Sequence, residues 1–137
     1  MQTFVPLPSF RASAQCLDVR RLGKQRLECV WLLATVEGRH RGTGWKNHPA
    51  AKMWLGHAGA LGAYMNAVLE EWHLRGYRNS IGSVAAPELP VMPCWWGRPS
   101  LHASHRSNLL RKDPVHYGRL GWTEPHDLPY EWPGDPR

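Results

Sequence analysis

Apolar residues recur with a near-helical period in three stretches of the chain, and each predicts a helix. The first, residues 17–36, opens on Asp18, a good N-cap, and is followed by Gly38, which suits the left-handed position after a helix end. At 100° per residue, Leu22, Arg26, Val30 and Leu33 lie along one side of it, and Arg21, Lys24 and Glu28 along another. In the second stretch Trp54, Ala58, Leu61, Met65, Val68 and Trp72 recur at alternating steps of four and three. With Pro49 at its first turn, behind His48 or Asn47, and Gly76 as its stop, this pattern predicts one long helix from Pro49 to about Arg75. The third stretch, Leu101 to Lys112, starts at Pro99 or Ser100 and ends at Asp113-Pro114.

The connections are irregular. Pro6 and Pro8 keep the N-terminus extended, and Ser9 or Ser13 caps a short turn before the first helix. Residues 38–48 hold three glycines and three cations, a composition that suits backbone approach to phosphates and equally a plain solvated loop. Gly82, Pro87, Pro90, Pro93, Gly97 and Pro99 exclude a regular element between 77 and 99. No strand pattern rises above noise. The fold class expected is all-α: a single domain, residues 1–137, of three main helices with long connections. Residues 1–120 form a basic helical body, and 121–137 a Pro-rich acidic strap that wraps the body or stays loose.

Charge sharpens this division. Residues 1–119 carry 16 Lys and Arg against 7 Asp and Glu, or +9, whereas 120–137 carry 1 against 4, or −3. A basic body suits a polyanion, nucleic acid first, with an anionic membrane surface as a weaker alternative. No apolar run approaches a membrane span and no signal-peptide pattern opens the chain, so the expected compartment is the cytoplasm, with nucleoid association in use. Cys16, Cys29 and Cys94 lack any CxxC pairing and are read as free thiols, two of them in the core. Among eight tryptophans, Trp45, Trp95 and Trp96 sit in turn-rich context where base stacking is an option. P-loop, GxSxG, GxGxxG and HExxH motifs are absent.

Within the first helix a lone Glu28 stands among Arg20, Arg21, Lys24 and Arg26. One reading is an i,i+4 ion pair with Lys24, worth a few tenths of a kcal/mol. The other is that the cations hold a phosphate backbone while Glu28 does chemistry beside it. Lys46 in the glycine-rich loop, His57 at the second helix, and His105, Arg106, Arg111 and Lys112 on the third extend the candidate DNA-binding set. His102 and His105, three apart, have no third ligand at a recognisable metal spacing.

The ordered motifs resemble the pyrimidine-dimer DNA glycosylase family of the phage endonuclease V type. Leu17-Asp18-Val19-Arg20-Arg21-Leu22-Gly23-Lys24-Gln25-Arg26-Leu27-Glu28 follows that family's first-helix pattern without a gap, and Glu28 falls on its catalytic carboxylate. His48-Pro49, Gly56-His57 and Arg75-Gly76-Tyr77 match the start and end of the second helix, and His105, Arg106, Leu110 and Arg111 match the third more loosely. The resemblance covers nearly the whole chain at sparse identity. It implies a DNA glycosylase with coupled AP-lyase activity on damaged bases in duplex DNA, with pyrimidine dimers as default substrate, acting as a monomer without metal or organic cofactor. The resemblance also implies an N-terminal α-amine as nucleophile on the sugar C1′, forming an imine; at a reference pKa of roughly 7.7–8.0 such an amine is neutral far more often than a lysine.

Two departures stand out. Gln2 replaces a small second residue, which implies that Met1 is retained and supplies the nucleophile itself. The family's arginines one before and three after the catalytic Glu become Leu27 and Trp31. The alternative function is a non-catalytic nucleic-acid-binding protein using the same basic face; a metal-dependent nuclease built on His102, His105 and His116 is a third and weaker reading.

Overall fold

The computed structural model describes residues 2–39 and 47–133, so Met1, Trp45 and Lys46 lie outside the described residues. Helices α1 (Phe10–Cys16), α2 (Val19–Val36), α3 (Pro49–Lys52), α4 (Ala58–Leu74), α5 (Pro99–Lys112) and α6 (Pro114–Gly118) carry the fold. The described residues contain no strand, so the all-α expectation holds. None of these helices is long and apolar enough to cross a membrane.

The capping signals act as the sequence implies. Asp18 accepts from the Arg21 amide at 3.4 Å, and Tyr117 donates its hydroxyl to the same carboxylate, tying α6 to the start of α2. Burial opposes ionisation of Asp18, but the Tyr117 hydroxyl and Arg21 outweigh it and hold its pKa below the usual carboxylate value. At the other end Gly38 takes φ +76°, its amide donates to the Thr35 carbonyl and the Arg39 amide to that of Ala34, closing a Schellman motif. Gly76 ends α4 in the same way, with the Trp72 and Tyr77 rings packed 4.6 Å apart across the cap. Ser9 caps α1, whereas Ser13 turns inward to bond both backbone groups of Leu7.

The long second helix divides. The chain leaves α3 after Lys52, turns through Gly56 at φ +79°, and re-enters helix only at Ala58. Trp54 accounts for the break: fully buried, it donates its indole N–H to Thr3 Oγ1 at 2.8 Å and packs edge-on against Trp95 at 5.0 Å. The apolar stripe is continuous across the turn although the helix is not, which is why periodicity alone joined the two pieces.

Helices α2 and α4 approach closely where Gly23 faces Trp72; a Cβ at residue 23 would lie 3.1 Å from the indole ring. Trp95 is buried, its indole donating to the Met53 carbonyl, and Trp96 packs between Phe10 and His102, so both serve the interior rather than a base. All three thiols are free: Cys29 in the core, Cys16 partly covered, Cys94 exposed. The tail beyond α6 lies along α5. Trp122 stacks on Tyr117 at 5.4 Å, Glu124 pairs with Arg106 at 2.9 Å, and Ser104, Ser107 and Asn108 bond backbone groups of Glu131, Pro125 and Leu128. This places Tyr130 over Phe4 and His105.

Candidate active site

The N-terminal segment is extended but buried, and its backbone is held by side chains instead of a sheet. Gln25 on α2 accepts from the Phe4 amide at 2.8 Å and donates to the Gln2 carbonyl at 2.9 Å, the i,i+2 pattern a neighbouring strand would offer. Tyr64 on α4 donates to the Phe4 carbonyl. On α5, His105 Nδ1 accepts from the Val5 amide at 3.0 Å and His102 Nδ1 donates to the Val5 carbonyl at 2.7 Å. His102 Nε2 accepts from the Gly97 amide, so one neutral tautomer satisfies both of its bonds. Burial and the neighbouring His102 lower His105 to a pKa of about 3, so it stays neutral while it accepts. Arg106 completes the set with a 2.7 Å bond to the Pro6 carbonyl.

The polar side chain of Gln25 within the buried Leu22–Cys29–Leu32 face of α2 is therefore structural, and it fixes where the chain begins. Gln25→Leu strands two buried backbone groups at roughly 1–3 kcal/mol each. The expected result is a loss of about 2–4 kcal/mol in denaturant unfolding, against near neutrality if the amide were idle.

The segment so held points its second residue at Glu28. The Gln2 amide donates to Glu28 Oε2 at 3.2 Å, and Lys24 Nζ stands 3.8 Å from Oε1. The ion-pair reading of Glu28 has its geometry. The i,i+4 pair forms, but the Lys24 side chain is 71% exposed, which leaves the pair weak. Glu28 itself is buried, and it lines a cavity of about 290 Å³ together with Gln2, Phe4, Gln25 and Tyr130. Arg20, Arg21, Lys24 and Lys112 ring the same cavity. Gln2 Nε2 is buried without a hydrogen-bond partner among the described residues. Burial pushes the Tyr130 phenol up to about 12, so it offers a neutral hydroxyl. Burial and the positive N-terminal amine lower the pKa of His48, the N-cap of α3, and the Glu28 carboxylate opposes them.

Of the sequence candidates, Arg20, Arg21, Lys24, Glu28 and Lys112 come together here. Several others sit elsewhere, with identifiable reasons. Arg26 lies over the Trp72 ring at 4.5 Å and bonds Asn79 Oδ1 at 2.8 Å, so its guanidinium braces α2 on α4. Arg106 is turned inward to Glu124 and Pro6, and His105 is fully buried. His57 lies beside the Val91 carbonyl, outside the cavity, and exposed Arg111 bonds Asn108. His102, His105 and His116 do not converge on one point: the first two hold Val5, and His116 Nε2 meets the Cys16 carbonyl at 2.9 Å. Met1 and Lys46 lie outside the described residues.

Sequence reasoning missed Gln2, Phe4, Gln25 and Tyr130. Gln25 left a legible trace, as a polar residue in phase with buried Leu22, Cys29 and Leu32. Tyr130 left none, because its place depends on how the strap crosses α5.

Among known proteins, the family model described as pyrimidine dimer DNA glycosylase matches residues 1–82 of the chain. No curated protein and no solved structure matches it. The matched part holds α1–α4 and Glu28, while Lys112 and Tyr130 reach the cavity from beyond it.

Proposed function

Because the chain belongs to the pyrimidine dimer DNA glycosylase family, we propose that it excises damaged pyrimidines from duplex DNA and then cleaves the strand by coupled AP-lyase chemistry. The observation that carries the reading is the 3.2 Å bond between the Gln2 amide and Glu28, at the edge of a cavity ringed by four cations. With Met1 as first residue, standard backbone dimensions keep its α-amine within about 7 Å of that carboxylate in any conformation. An amine held within that reach can act on the same sugar as the carboxylate.

In the proposed reaction the amine lone pair attacks C1′ and the glycosidic bond breaks, its electrons leaving with the base. Opening of the sugar ring gives a C1′ imine. Glu28 stabilises the positive charge that develops at C1′ and then takes the proton from C2′. That electron pair forms the C2′–C3′ double bond as the 3′ phosphate departs. Arg20, Arg21, Lys24 and Lys112 hold the flanking phosphates.

A duplex carrying one cyclobutane pyrimidine dimer tests the proposal. Strand scission that leaves an unsaturated sugar aldehyde on one side and a 5′ phosphate on the other is expected; an intact strand after prolonged incubation contradicts it. Binding should also respond to salt. If the four cavity cations neutralise four phosphates, affinity falls about a hundredfold between 50 and 200 mM salt. Arg20→Ala and Lys24→Ala should each flatten that log–log slope by about one, whereas Arg106→Ala should lower stability and leave the slope alone. A flat salt profile in the unmodified protein would contradict phosphate contact.

A further inference from the structure

The extended segment 2–6 is held from two sides. Gln25 of α2 and Tyr64 of α4 bond it on one, and His102, His105 and Arg106 of α5 on the other. Two of these α5 residues are themselves backed by the strap that follows α6. Glu124 Oε1 accepts from Arg106 Nε at 2.9 Å, while the same guanidinium donates through Nη1 to the Pro6 carbonyl at 2.7 Å. The Arg106 and Glu124 side chains are 19% and 18% exposed, so water and salt screen their pairing little. Tyr130 stands edge-on to the fully buried His105 ring at 5.9 Å and tilts over Phe4 at 6.4 Å. His105 Nδ1 accepts from Val5, but its Nε2 has no hydrogen-bond partner among the described residues. Beyond the Val5 bond, then, packing against Phe4 and Tyr130 orients that ring. The strap is pinned in turn by Ser107, which donates to the Pro125 carbonyl and accepts from the Leu128 amide at 3.0 Å. Ser107 does not line the cavity.

We propose that the strap is a positioning element for the nucleophile, with Glu124 as its main positioning residue. Through Glu124 on Arg106 and Tyr130 on His105 it fixes residues 4–6, and with them the place of the chain's first amine beside Glu28. This deepens the function proposed above and rests on it. The segment passes displacement on, because its peptide planes are rigid and Pro6 has a locked φ at the far end. Chemistry reads small displacements steeply: about 1 Å at a reacting group costs up to about a hundredfold in rate. The charge of the strap argues against a direct part in holding DNA. Residues 120–137 carry four carboxylates against one cation, a balance that repels phosphates and suits the cations of α5.

The test measures two quantities on the full chain. One is single-turnover imine formation on an abasic-site duplex, read by borohydride trapping. The other is affinity for a duplex with a tetrahydrofuran analogue, which binds without forming an imine. Glu124→Ala frees the Arg106 guanidinium, and Ser107→Ala releases the strap at Pro125 and Leu128. Each should trap about tenfold to a hundredfold more slowly at saturating duplex, at a temperature where circular dichroism shows parental helix content. Affinity for the analogue duplex should not fall. Glu124→Gln keeps an oxygen for Arg106 Nε and should recover most of the rate. Should the buried Ser107→Ala fail to fold, the two Glu124 variants decide alone. A strap that only stabilises the fold would give variants that melt earlier yet trap at the parental rate while folded, and that result would overturn the proposal. So would a parallel loss of rate and affinity, or a Glu124→Gln protein as slow as Glu124→Ala. Unmodified protein that binds the abasic duplex but traps none of it would instead overturn the glycosylase reading itself.

Discussion

Glu28→Gln should cut strand cleavage at least a hundredfold while leaving the fold and DNA affinity nearly intact. The substitution keeps length, helix propensity and an oxygen that accepts from the Gln2 amide, so the bond that orients the chain start survives. It removes the negative charge and the base. The Lys24 pair is lost as well, but with Lys24 71% exposed that contributes only a few tenths of a kcal/mol. If the ion pair were the residue's whole purpose, the variant would cleave at the normal rate with slightly lower stability. Equal rates for variant and parent, measured in single turnover on an abasic-site duplex, would end the catalytic assignment.

Acetylating the N-terminal amine should abolish cleavage outright, since an amide has no nucleophilic lone pair. A peptide tag ahead of Met1 should do the same, because each added residue moves the amine by up to about 3.5 Å, beyond the reach of about 7 Å that holds it near Glu28. The clamp of Gln25, Tyr64, His102 and His105 makes this geometry strict, as residues 2–5 have no freedom to retract and compensate. Lys24 is the competing nucleophile, with its amine 3.8 Å from Glu28. A solvated lysine nevertheless starts about 2.5 pKa units above an α-amine, a deficit near 3.4 kcal/mol that screened surface charges seldom erase. Acetylated protein that still cleaves, and loses cleavage on Lys24→Ala, would transfer the role to Lys24.

Helix ends were legible because single residues set them. Asp18, Gly38, Gly76 and Pro99 each satisfy or terminate a backbone pattern locally, and all four act in the structure as their chemistry implies. The break before α4 was not legible, because Trp54 keeps the helical phase of its stripe while its indole bonds to Thr3, 51 residues away in sequence. The same limit applies to the site. Lys24 and Glu28 are one turn apart on α2, so their meeting follows from helical spacing. The clamp on residues 2–6 joins them to residues 25, 64, 102, 105 and 106, and no local pattern encodes partners so distant. Charge alone also does not tell which cations line the cavity: the pairing of Arg106 with Glu124 and the stacking of Arg26 on Trp72 are tertiary contacts.

In the proposed reaction the first amine of the chain and Glu28 act on one sugar. Borohydride reduction of the protein incubated with an abasic-site duplex, followed by proteolysis and mass spectrometry, tests it most directly. A stable protein–DNA adduct whose sugar remnant is carried on the α-amine of the N-terminal peptide is expected. Trapping should be lost after N-terminal acetylation. An adduct on Lys24, or no adduct under conditions where the duplex is bound, would contradict it.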